Sequence, residues 1–299
     1  MKALPIAAVA LTALGVALPA AAQEWPTRAV TLVVPFGPGS GADNGARTIA
    51  RHFTEYTGQT FIVENRPGFN GAIATQAVAR AKPDGYTLVI GSAATHATNY
   101  AFYPGKLGYE PSSFDAAAGL GYSPISLFVA PGFPGRGVAD VIAEAKRQPG
   151  KLTCGSGNTV TQVACEAFRK AAGIDIVNVP YKSNPLSLND LAGNQISMAF
   201  ADASVAMPYL ARGAARAVGV AAAQRLTSQP DVATFREQGI PGFEITAWTA
   251  VFAPAGTPPA VLERINALVR RSNDSKEAVE LREKTGSSAF TLSVAQTRQ

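Results

Sequence analysis

Short apolar runs alternate with amphipathic stretches along most of the chain. The run AVTLVVPF (29–36) predicts a buried strand, and the runs TFIVEN (60–65) and YTLVIGS (86–92) predict two more. Between the runs, apolar residues recur at the spacing of a helix face. The helix after the second run is expected to turn five residues inward, namely Ile73, Ala74, Ala77, Val78 and Ala81. Strands that alternate with helices of this length are typical of a parallel sheet covered on both faces.

The same alternation restarts after residue 120 and predicts a second sheet. Its strand-like runs lie at 125–131, 151–156, 174–181, 195–202 and 215–223. Gly58 and Gly173 follow the last apolar residues of two predicted helices and are expected to end them. Two such series predict two α/β domains, and in open α/β sheets ligands bind at the carboxyl ends of the strands.

The first 22 residues have the features of a secretory signal peptide. Lys2 supplies a short positive region, an apolar stretch follows, and small residues come next. We therefore expect cleavage after Ala22 and a periplasmic mature chain. A membrane anchor is the alternative, but Pro5 and Pro19 leave fewer than the ~20 apolar residues that a membrane span requires.

Charge and cysteine content narrow the classes of partner. The chain has 26 basic and 21 acidic residues and no long run of Lys or Arg, which argues against nucleic acid and suits a small anion. Cys154 and Cys165 are either two buried thiols or, in an oxidising compartment, one disulfide, and the sequence leaves both open. His52 and His96 lie far apart, so no metal-ligand spacing occurs and no metal is expected.

The residues that follow the predicted strands are rich in Gly, Ser, Thr and Asn. Such turns present free backbone N–H groups at the positive end of a helix dipole, which favours an anion such as a carboxylate or phosphate. One such turn is a weak signal, whereas several that converge from two sheets are a stronger one. The turns are FGPGSGAD (36–43), NRPGFNGA (65–72), GSAATHATN (91–99), CGSGNTVTQ (154–162) and ADAS (201–204).

The first of these turns also fits a dinucleotide-binding fingerprint. Gly37, Gly39 and Ala42 match G-x-G-x-x-G/A, and Glu64 follows at about the distance of the acidic residue that binds a ribose. An exported NAD or flavin enzyme is therefore the alternative to a carboxylate site, and it predicts cofactor binding and an accessible Glu64. Pro38 stiffens the turn and export leaves little free dinucleotide, so we favour the carboxylate.

Four titratable residues are candidates for chemistry. Asp43 is expected to cap a helix rather than act as a base, His96 to be structural, and Lys182 to be solvated. Asp202 ends an apolar strand, where an unpaired carboxylate is costly to bury. It either caps the next helix or accepts a hydrogen bond from a ligand amine or hydroxyl. No nucleophile elbow, zinc-protease motif or Walker motif occurs, so we do not expect an enzyme.

Seven segments, in order, resemble one protein family: PFGPGSGAD, VENRPG, KPDGYTLVIGSAATHATN, VPYK, PYLARGAARAVGV, GIPGFE and FAPAGTPP. They are similar to segments of the extracytoplasmic solute receptors of tripartite tricarboxylate transporters, the Bug family. The resemblance implies a two-domain α/β periplasmic-binding-protein fold of the Venus-flytrap type II class. Two crossover strands are expected near 121–128 and 244–252. Domain 1 would comprise residues 23–123 plus 247–299, and domain 2 residues 124–246.

The resemblance also implies a monomeric receptor without a cofactor. It would hold a ligand carboxylate with main-chain N–H groups and ordered waters, and pass the ligand to integral-membrane transporter subunits. A membrane sensor as partner is the alternative. The expected ligand-binding residues are Phe36, Gly39, Ser40, Gly41, Asp43, Gly68, Asn70, Gly71, Ser92, Ala93, Thr95, Ser156, Thr159 and Asp202.

Four features depart from the family pattern. Ser40 replaces a frequent glycine, Gln162 a frequent histidine, and YKSNP (181–185) a more glycine-rich segment. The chain also stops at Gln299, short of the final helix of most relatives. The first three change the expected lining of the cleft, and the last concerns the packing of domain 1.

Overall fold

The computed structural model describes residues 25–297, so the predicted signal peptide lies outside the described residues. Two sheets share one long strand. In chain order the strands are β1 (Val30–Val34), β2 (Phe61–Asn65), β3 (Thr87–Ser92), β4 (Phe114–Val129), β5 (Thr153–Ser156), β6 (Val177–Pro180), β7 (Met198–Asp202), β8 (Arg216–Val220), β9 (Thr246–Pro254) and β10 (Ser288–Ala289).

Helices connect most of these strands, as the alternating pattern predicts. Gly58 and Gly173 have φ angles of 70° and 59° and end two of them, so both predicted helix ends are confirmed. The helices are α1 (Gly41–Thr57), α2 (Ala72–Ala79), α3 (Asn99–Phe102), α4 (Val138–Arg147), α5 (Thr159–Ala172), α6 (Asn184–Ala192), α7 (Ala203–Ala211), α8 (Pro259–Asn273), α9 (Lys276–Thr285) and α10 (Val294–Thr297).

The first sheet has the strand order β2-β1-β3-β9-β4, with β10 added to β4. Strand β1 is parallel to β2 and β3, and β9 runs antiparallel between β3 and β4. In the second sheet, β4 is antiparallel to β7 and β8, and β5 is parallel to β6 and β7. Each sheet therefore brings the carboxyl ends of its parallel strands, and the turns that follow them, to one edge.

Two stretches of chain pass from one sheet to the other. Strand β4 pairs with β9 up to Pro124 and with β7 from Ile125, which lies opposite Asp202. The chain returns to the first sheet at Ile245, just before β9. The N–H of Ile245 donates to the carbonyl oxygen of Ala221, which follows β8 of the second sheet, at 2.9 Å. The predicted two-domain α/β class with two crossover strands is confirmed, while the predicted domain boundaries stay a prediction.

Helix α2 buries a different face from the one that the sequence predicts. Ile73 is 57% exposed and Ala77 is also exposed, so their predicted inward position is wrong. The buried face includes Thr75 and Val78. Thr75 tolerates burial because its hydroxyl donates to the carbonyl oxygen of Gly71 at 2.9 Å. Apolar periodicity does not count a buried threonine as a core position, so it predicts the wrong buried face for this helix.

A disulfide joins Cys154 in β5 to Cys165 in α5, and both residues are buried. Of the two alternatives that the sequence leaves open, the structure has the bonded pair. Within residues 25–297, no helix is both long enough and apolar enough to cross a bilayer. The same residues contain no group of three His, Cys, Asp or Glu side chains placed to hold a metal ion.

Candidate functional site

The turn after β1 is held in shape by Asp43. Its carboxylate accepts hydrogen bonds from the Gly39 N–H (2.8 Å), the Arg47 guanidinium (2.9 Å) and the Asn65 amide (2.8 Å). Burial acts to raise the pKa of Asp43, but the hydrogen bonds from Arg47, Gly39 and Asn65 outweigh it, and the pKa is lowered. Only 1% of the residue is exposed, so Asp43 supports the turn from behind.

The N-cap of α1 is Ser40, so the prediction that Asp43 caps this helix is wrong. The Ser40 hydroxyl accepts a hydrogen bond from the Asp43 N–H at 3.3 Å. Asp43 instead satisfies the Gly39 N–H, which lies just before the helix. In the first turn, the N–H groups of Gly41 and Ala42 have no intrahelical acceptor. They form the positive end of the α1 dipole.

A cavity of about 40 Å³ lies between the turns of the two sheets. The N-terminal ends of α1, α5 and α6 line it through Gly41, Val160 and Asn184. None of the described residues that line it is Lys or Arg, so the groups that it offers to a carboxylate are helix N-termini and their N–H groups. Six predicted site residues line the cavity: Phe36, Ser40, Gly41, Ser92, Ala93 and Asp202.

Asp202 supplies a carboxyl group to this cavity. It occupies the N-cap position of α7, yet its side chain makes no capping hydrogen bond. One carboxylate oxygen accepts from the Asn184 amide at 2.8 Å, and a Cβ added to Gly41 of the facing turn would lie 3.7 Å from the carboxylate. Burial raises the pKa of Asp202, and the Asn184 hydrogen bond offsets this only in part. Side-chain capping, one of the two roles left open, is therefore not present.

One predicted residue, Thr159, bridges the two domains instead of lining the cavity. Its hydroxyl donates to the Asn99 side-chain oxygen at 3.1 Å and lies 2.5 Å from the hydroxyl of Thr98. Thr159 begins α5 on the second sheet, whereas its two partners follow β3 of the first sheet. These contacts therefore link the residues that follow β3 of the first sheet to the start of α5 on the second sheet.

The remaining predicted residues shape the turns around the cavity. The Thr95 hydroxyl accepts from the Ser92 N–H at 3.0 Å. Asn70 has a left-handed φ of 49°, and its amide donates to the Tyr103 hydroxyl at 2.5 Å. Seven residues of the predicted set do not line the cavity: Gly39, Asp43, Gly68, Asn70, Gly71, Thr95 and Ser156.

The cavity is also lined by residues outside the predicted ligand-binding set, among them Ser183, Asn184 and Trp248, while Asn158 lies in the predicted turn 154–162. The backbone of Ser183 and Asn184 packs closely against the turn at Gly157. A Cβ added to Gly157 would lie only 2.1 Å from the backbone nitrogen of Asn184. Only glycine allows this approach. A Ser followed by Asn and Pro is typical of a helix start, and this signal could have drawn attention to the N-terminus of α6.

The glycines of the dinucleotide fingerprint lie in contact with the start of α6. A Cβ on Gly37 would lie 3.4 Å from the Ser183 hydroxyl, and one on Gly39 would lie 3.6 Å from Pro185. Glu64, the proposed ribose ligand, is paired with the Arg66 guanidinium at 2.6 and 2.9 Å. Both parts of the fingerprint are therefore already in contact with other residues of the chain.

His96 is structural and Lys182 is solvated, as the sequence predicts. The Nδ1 atom of His96 lies 2.8 Å from the Thr95 hydroxyl, and its ring stacks on Phe252 with 3.9 Å between centroids. Burial lowers the pKa of His96 to about 3, so the imidazole is neutral near pH 7. Lys182 is exposed and does not line the cavity.

Comparison with known proteins identifies the family. Residues 45–299 match the family described as tripartite tricarboxylate transporter family receptor. The chain belongs to this receptor family. A UPF0065 protein of Bordetella pertussis is 32% identical to the receptor over 283 residues, which cover 94% of this chain and 87% of that protein. The family resemblance seen in the sequence is therefore confirmed.

Two solved structures from Rhodopseudomonas palustris share the receptor's fold at a similar level of identity. Rpa4515, solved with adipate, is 34% identical with a TM-score of 0.88, and the match covers 91% of each chain. MatC (Rpa3494), solved with bound malate, is 32% identical with a TM-score of 0.84, and covers 89% of this receptor and 91% of that chain. Both similar proteins were therefore solved with small carboxylates.

Proposed function

We propose that this receptor is a periplasmic solute-binding protein that captures a small carboxylate between its two domains. The observation that carries the proposal is the cavity at which α1, α5 and α6 meet with their N-terminal ends. A ligand carboxylate there would accept hydrogen bonds from the free N–H groups of Gly41 and Ala42 and from the first turn of α5. The adipate and malate in the two similar structures support the carboxylate class.

Asp202 adds a second requirement to the ligand. It is a half-buried acceptor that already has one amide donor, Asn184, and the cavity reaches its carboxylate. A ligand amine or hydroxyl close to the bound carboxylate would supply a further donor and offset the cost of burying this charge. Asp202 therefore favours amino or hydroxy acids over plain acids of the same length.

Capture would proceed by closure of the two domains about the crossover strands. The contacts of Thr159 with Thr98 and Asn99 join the domains directly, and a bound carboxylate would add a bridge between α1 and α5. The ligand shifts the population towards the closed state only through contacts that it makes better there. The closed receptor would then deliver the ligand to the integral-membrane subunits of a tripartite transporter, and no covalent step is involved.

The proposal retains two features of the sequence prediction. The signal peptide, residues 1–22, would direct export, with cleavage after Ala22. The domain division, 23–123 plus 247–299 and 124–246, would place the hinge close to the point where β4 changes its partner strand.

Thermal unfolding of the mature chain from Gln23 tests the proposal. The protein is unfolded and refolded to remove carried-over ligand, then melted with dicarboxylates, amino acids, hydroxy acids, aromatic acids or NADH. A ligand at ~1,000 times its dissociation constant adds about 4 kcal/mol to the free energy of unfolding, which raises the midpoint by several degrees. We expect a shift with carboxylates. No shift with any carboxylate, or a shift with NADH alone, would overturn the proposal.

A further inference from the structure

The cavity at the helix N-termini has room for a carboxylate group but for little more of a ligand. It measures about 40 Å³. A buried water needs roughly 10–15 Å³ of such volume, so the cavity is equivalent to about three water molecules. If the proposed function holds, the rest of the ligand must lie in a neighbouring space.

A second cavity of about 480 Å³ adjoins the first one. This space, which we call the chamber, is bounded by one face of α1, by α9 and by the crossover strands β4 and β9. Its volume lies within the range of small-molecule sites, roughly 300–1,000 Å³. The residues that line both the cavity and the chamber are Gly41, Asp202, Ala247, Trp248 and Thr249. The two spaces therefore meet at these residues.

The chamber walls are largely apolar. Ile49, Leu120, Tyr122 and Leu281 all line it. Tyr122 and Leu281 are 38% and 46% exposed, although they are large hydrophobic side chains. Contiguous apolar surface of this kind, set in a concave space, is typical of a ligand site. These walls suit a hydrocarbon chain or ring rather than a compact polar acid.

One cation in the chamber has no acidic partner. The Arg282 guanidinium lines the chamber and donates to the carbonyl oxygen of Asn273 at 2.7 Å, but it makes no ion pair within residues 25–297. Arg47, the other cation in the lining, is bound to Asp43 and Asn65. Arg282 therefore has donors left for an anionic group, and its planar fork matches a carboxylate.

We propose that the ligand of this receptor is an elongated dicarboxylate of six or more carbons. Its first carboxylate binds at the helix N-termini, its chain lies in the chamber, and its second carboxylate pairs with Arg282. The chamber runs along α1 from Gly41 to Ile49, a rise of about 12 Å along the helix axis. A four-carbon acid is too short to extend along the whole chamber. This inference rests on the proposed function and names the substrate class for the same site.

Gly45 offers a direct way to fill the chamber. It lies within α1, and the nearest atom to an added Cβ is a methyl group of Leu120, at 3.8 Å. Both residues line the chamber, so a side chain at position 45 would enter it without a clash at its first atom. Gly45→Leu should therefore fold and block the chamber, while Gly45→Ala is the matched control that adds a single methyl group.

Titration calorimetry of the refolded mature chain tests the inference with succinate, adipate, suberate and octanoate. We expect suberate or adipate to bind at least tenfold more tightly than succinate. Gly45→Leu should remove that advantage without weakening succinate binding or lowering the thermal midpoint, whereas Gly45→Ala should keep the advantage. Arg282→Gln should abolish the preference for suberate over octanoate, and Arg282→Lys should restore part of it.

The inference is overturned if succinate binds as tightly as the longer acids and Gly45→Leu changes nothing. It is also overturned if wild type binds octanoate as tightly as suberate, because Arg282 then pairs with no second carboxylate. Either result leaves the proposed carboxylate receptor intact. Failure of every carboxylate to bind the refolded wild type would instead contradict the proposed function itself.

Discussion

The side-chain nitrogen of Asn184 lies 2.8 Å from a carboxylate oxygen of Asp202, inside the cavity where the two domains meet. Asn184 begins α6 and Asp202 precedes α7, so the contact joins the starts of two helices on the second sheet. It places a carboxyl group among N–H groups that favour a negative ligand. We therefore expect this pair to influence which carboxylates the cavity accepts.

Replacing Asp202 with Asn should change ligand preference more than stability. The buried carboxylate favours a ligand amine, and a charge-assisted hydrogen bond is worth about 1.5–3 kcal/mol, or roughly tenfold or more in affinity. Wild type should prefer 2-aminoadipate to adipate and glutamate to glutarate, and Asp202→Asn should lose both preferences. Calorimetry on the four acids measures this, with Asp84→Asn, a half-buried residue outside the cavity, as a control. An unchanged ranking would remove Asp202 from the site.

The pH dependence of stability should identify the same carboxylate. Burial raises the pKa of Asp202 in the folded protein above its ordinary value of 3.8, so the folded state binds the proton at a higher pH than the unfolded chain. As the pH falls through the raised pKa, the free energy of unfolding of ligand-free wild type should rise relative to Asp202→Asn. The gain is complete below 3.8, where both states are protonated.

Urea unfolding of both proteins between pH 8 and pH 4 measures this difference. Binding of an amine ligand should follow the opposite course, because the ligand cation needs the ionised carboxylate, and its affinity should weaken over the same window. Parallel stability curves for wild type and Asp202→Asn would contradict the burial of this group.

Asp202 could be predicted as a candidate site residue because the pattern that indicates it lies within one short stretch of sequence. A carboxylate at the end of an apolar strand stands out in a single stretch of sequence, as do Gly58 and Gly173 after their helices. Asn184 has only the local signal of a helix start, Ser-Asn-Pro, and Trp248 has no such signal. They reach the cavity because α6 meets the turn at Gly157 and because β9 crosses between the domains. Both are consequences of tertiary packing.

Asp43 illustrates the reverse case, in which the residue was found but its position was misjudged. Its place in a glycine turn before a helix indicates a cap, whereas the cap is Ser40 and Asp43 lies three residues later. The partners that fix Asp43, Arg47 and Asn65, come from the next helical turn and from β2. The four-residue spacing between Asp43 and Arg47 is visible in the sequence. The contact with Asn65 is not, because it depends on the pairing of the parallel strands β1 and β2.

Removing the Asp43 carboxylate should destabilise the whole receptor. Asp43→Ala leaves the Gly39 N–H, the Arg47 guanidinium and the Asn65 amide without their shared acceptor. We expect a loss of about 3 kcal/mol in the free energy of unfolding, against about 1 kcal/mol for the cap variant Ser40→Ala. Urea unfolding at pH 7 compares the two. Equal losses would show that Asp43 contributes no more than an ordinary cap.

Thr159→Val should weaken ligand binding without a comparable loss of stability in the free protein. The substitution keeps the shape of the side chain and removes the hydroxyl that contacts Asn99 and Thr98 across the domain interface. Each such hydrogen bond contributes about 1 kcal/mol net, so the closed state should lose enough to weaken affinity by roughly tenfold. Because the bonds join the domains, an open, ligand-free receptor does not depend on them.

Calorimetry with the best dicarboxylate, together with the radius of gyration by small-angle scattering, separates closure from folding. Wild type should contract on ligand addition, and Thr159→Val should need more ligand to reach the same contraction. Thr257→Val is the matched control, since that buried hydroxyl bonds only to the nearby carbonyl oxygen of Pro254 at 2.7 Å. It should lower the thermal midpoint and leave affinity unchanged. If Thr159→Val binds ligand as wild type does, the contacts among Thr98, Asn99 and Thr159 do not stabilise the closed state.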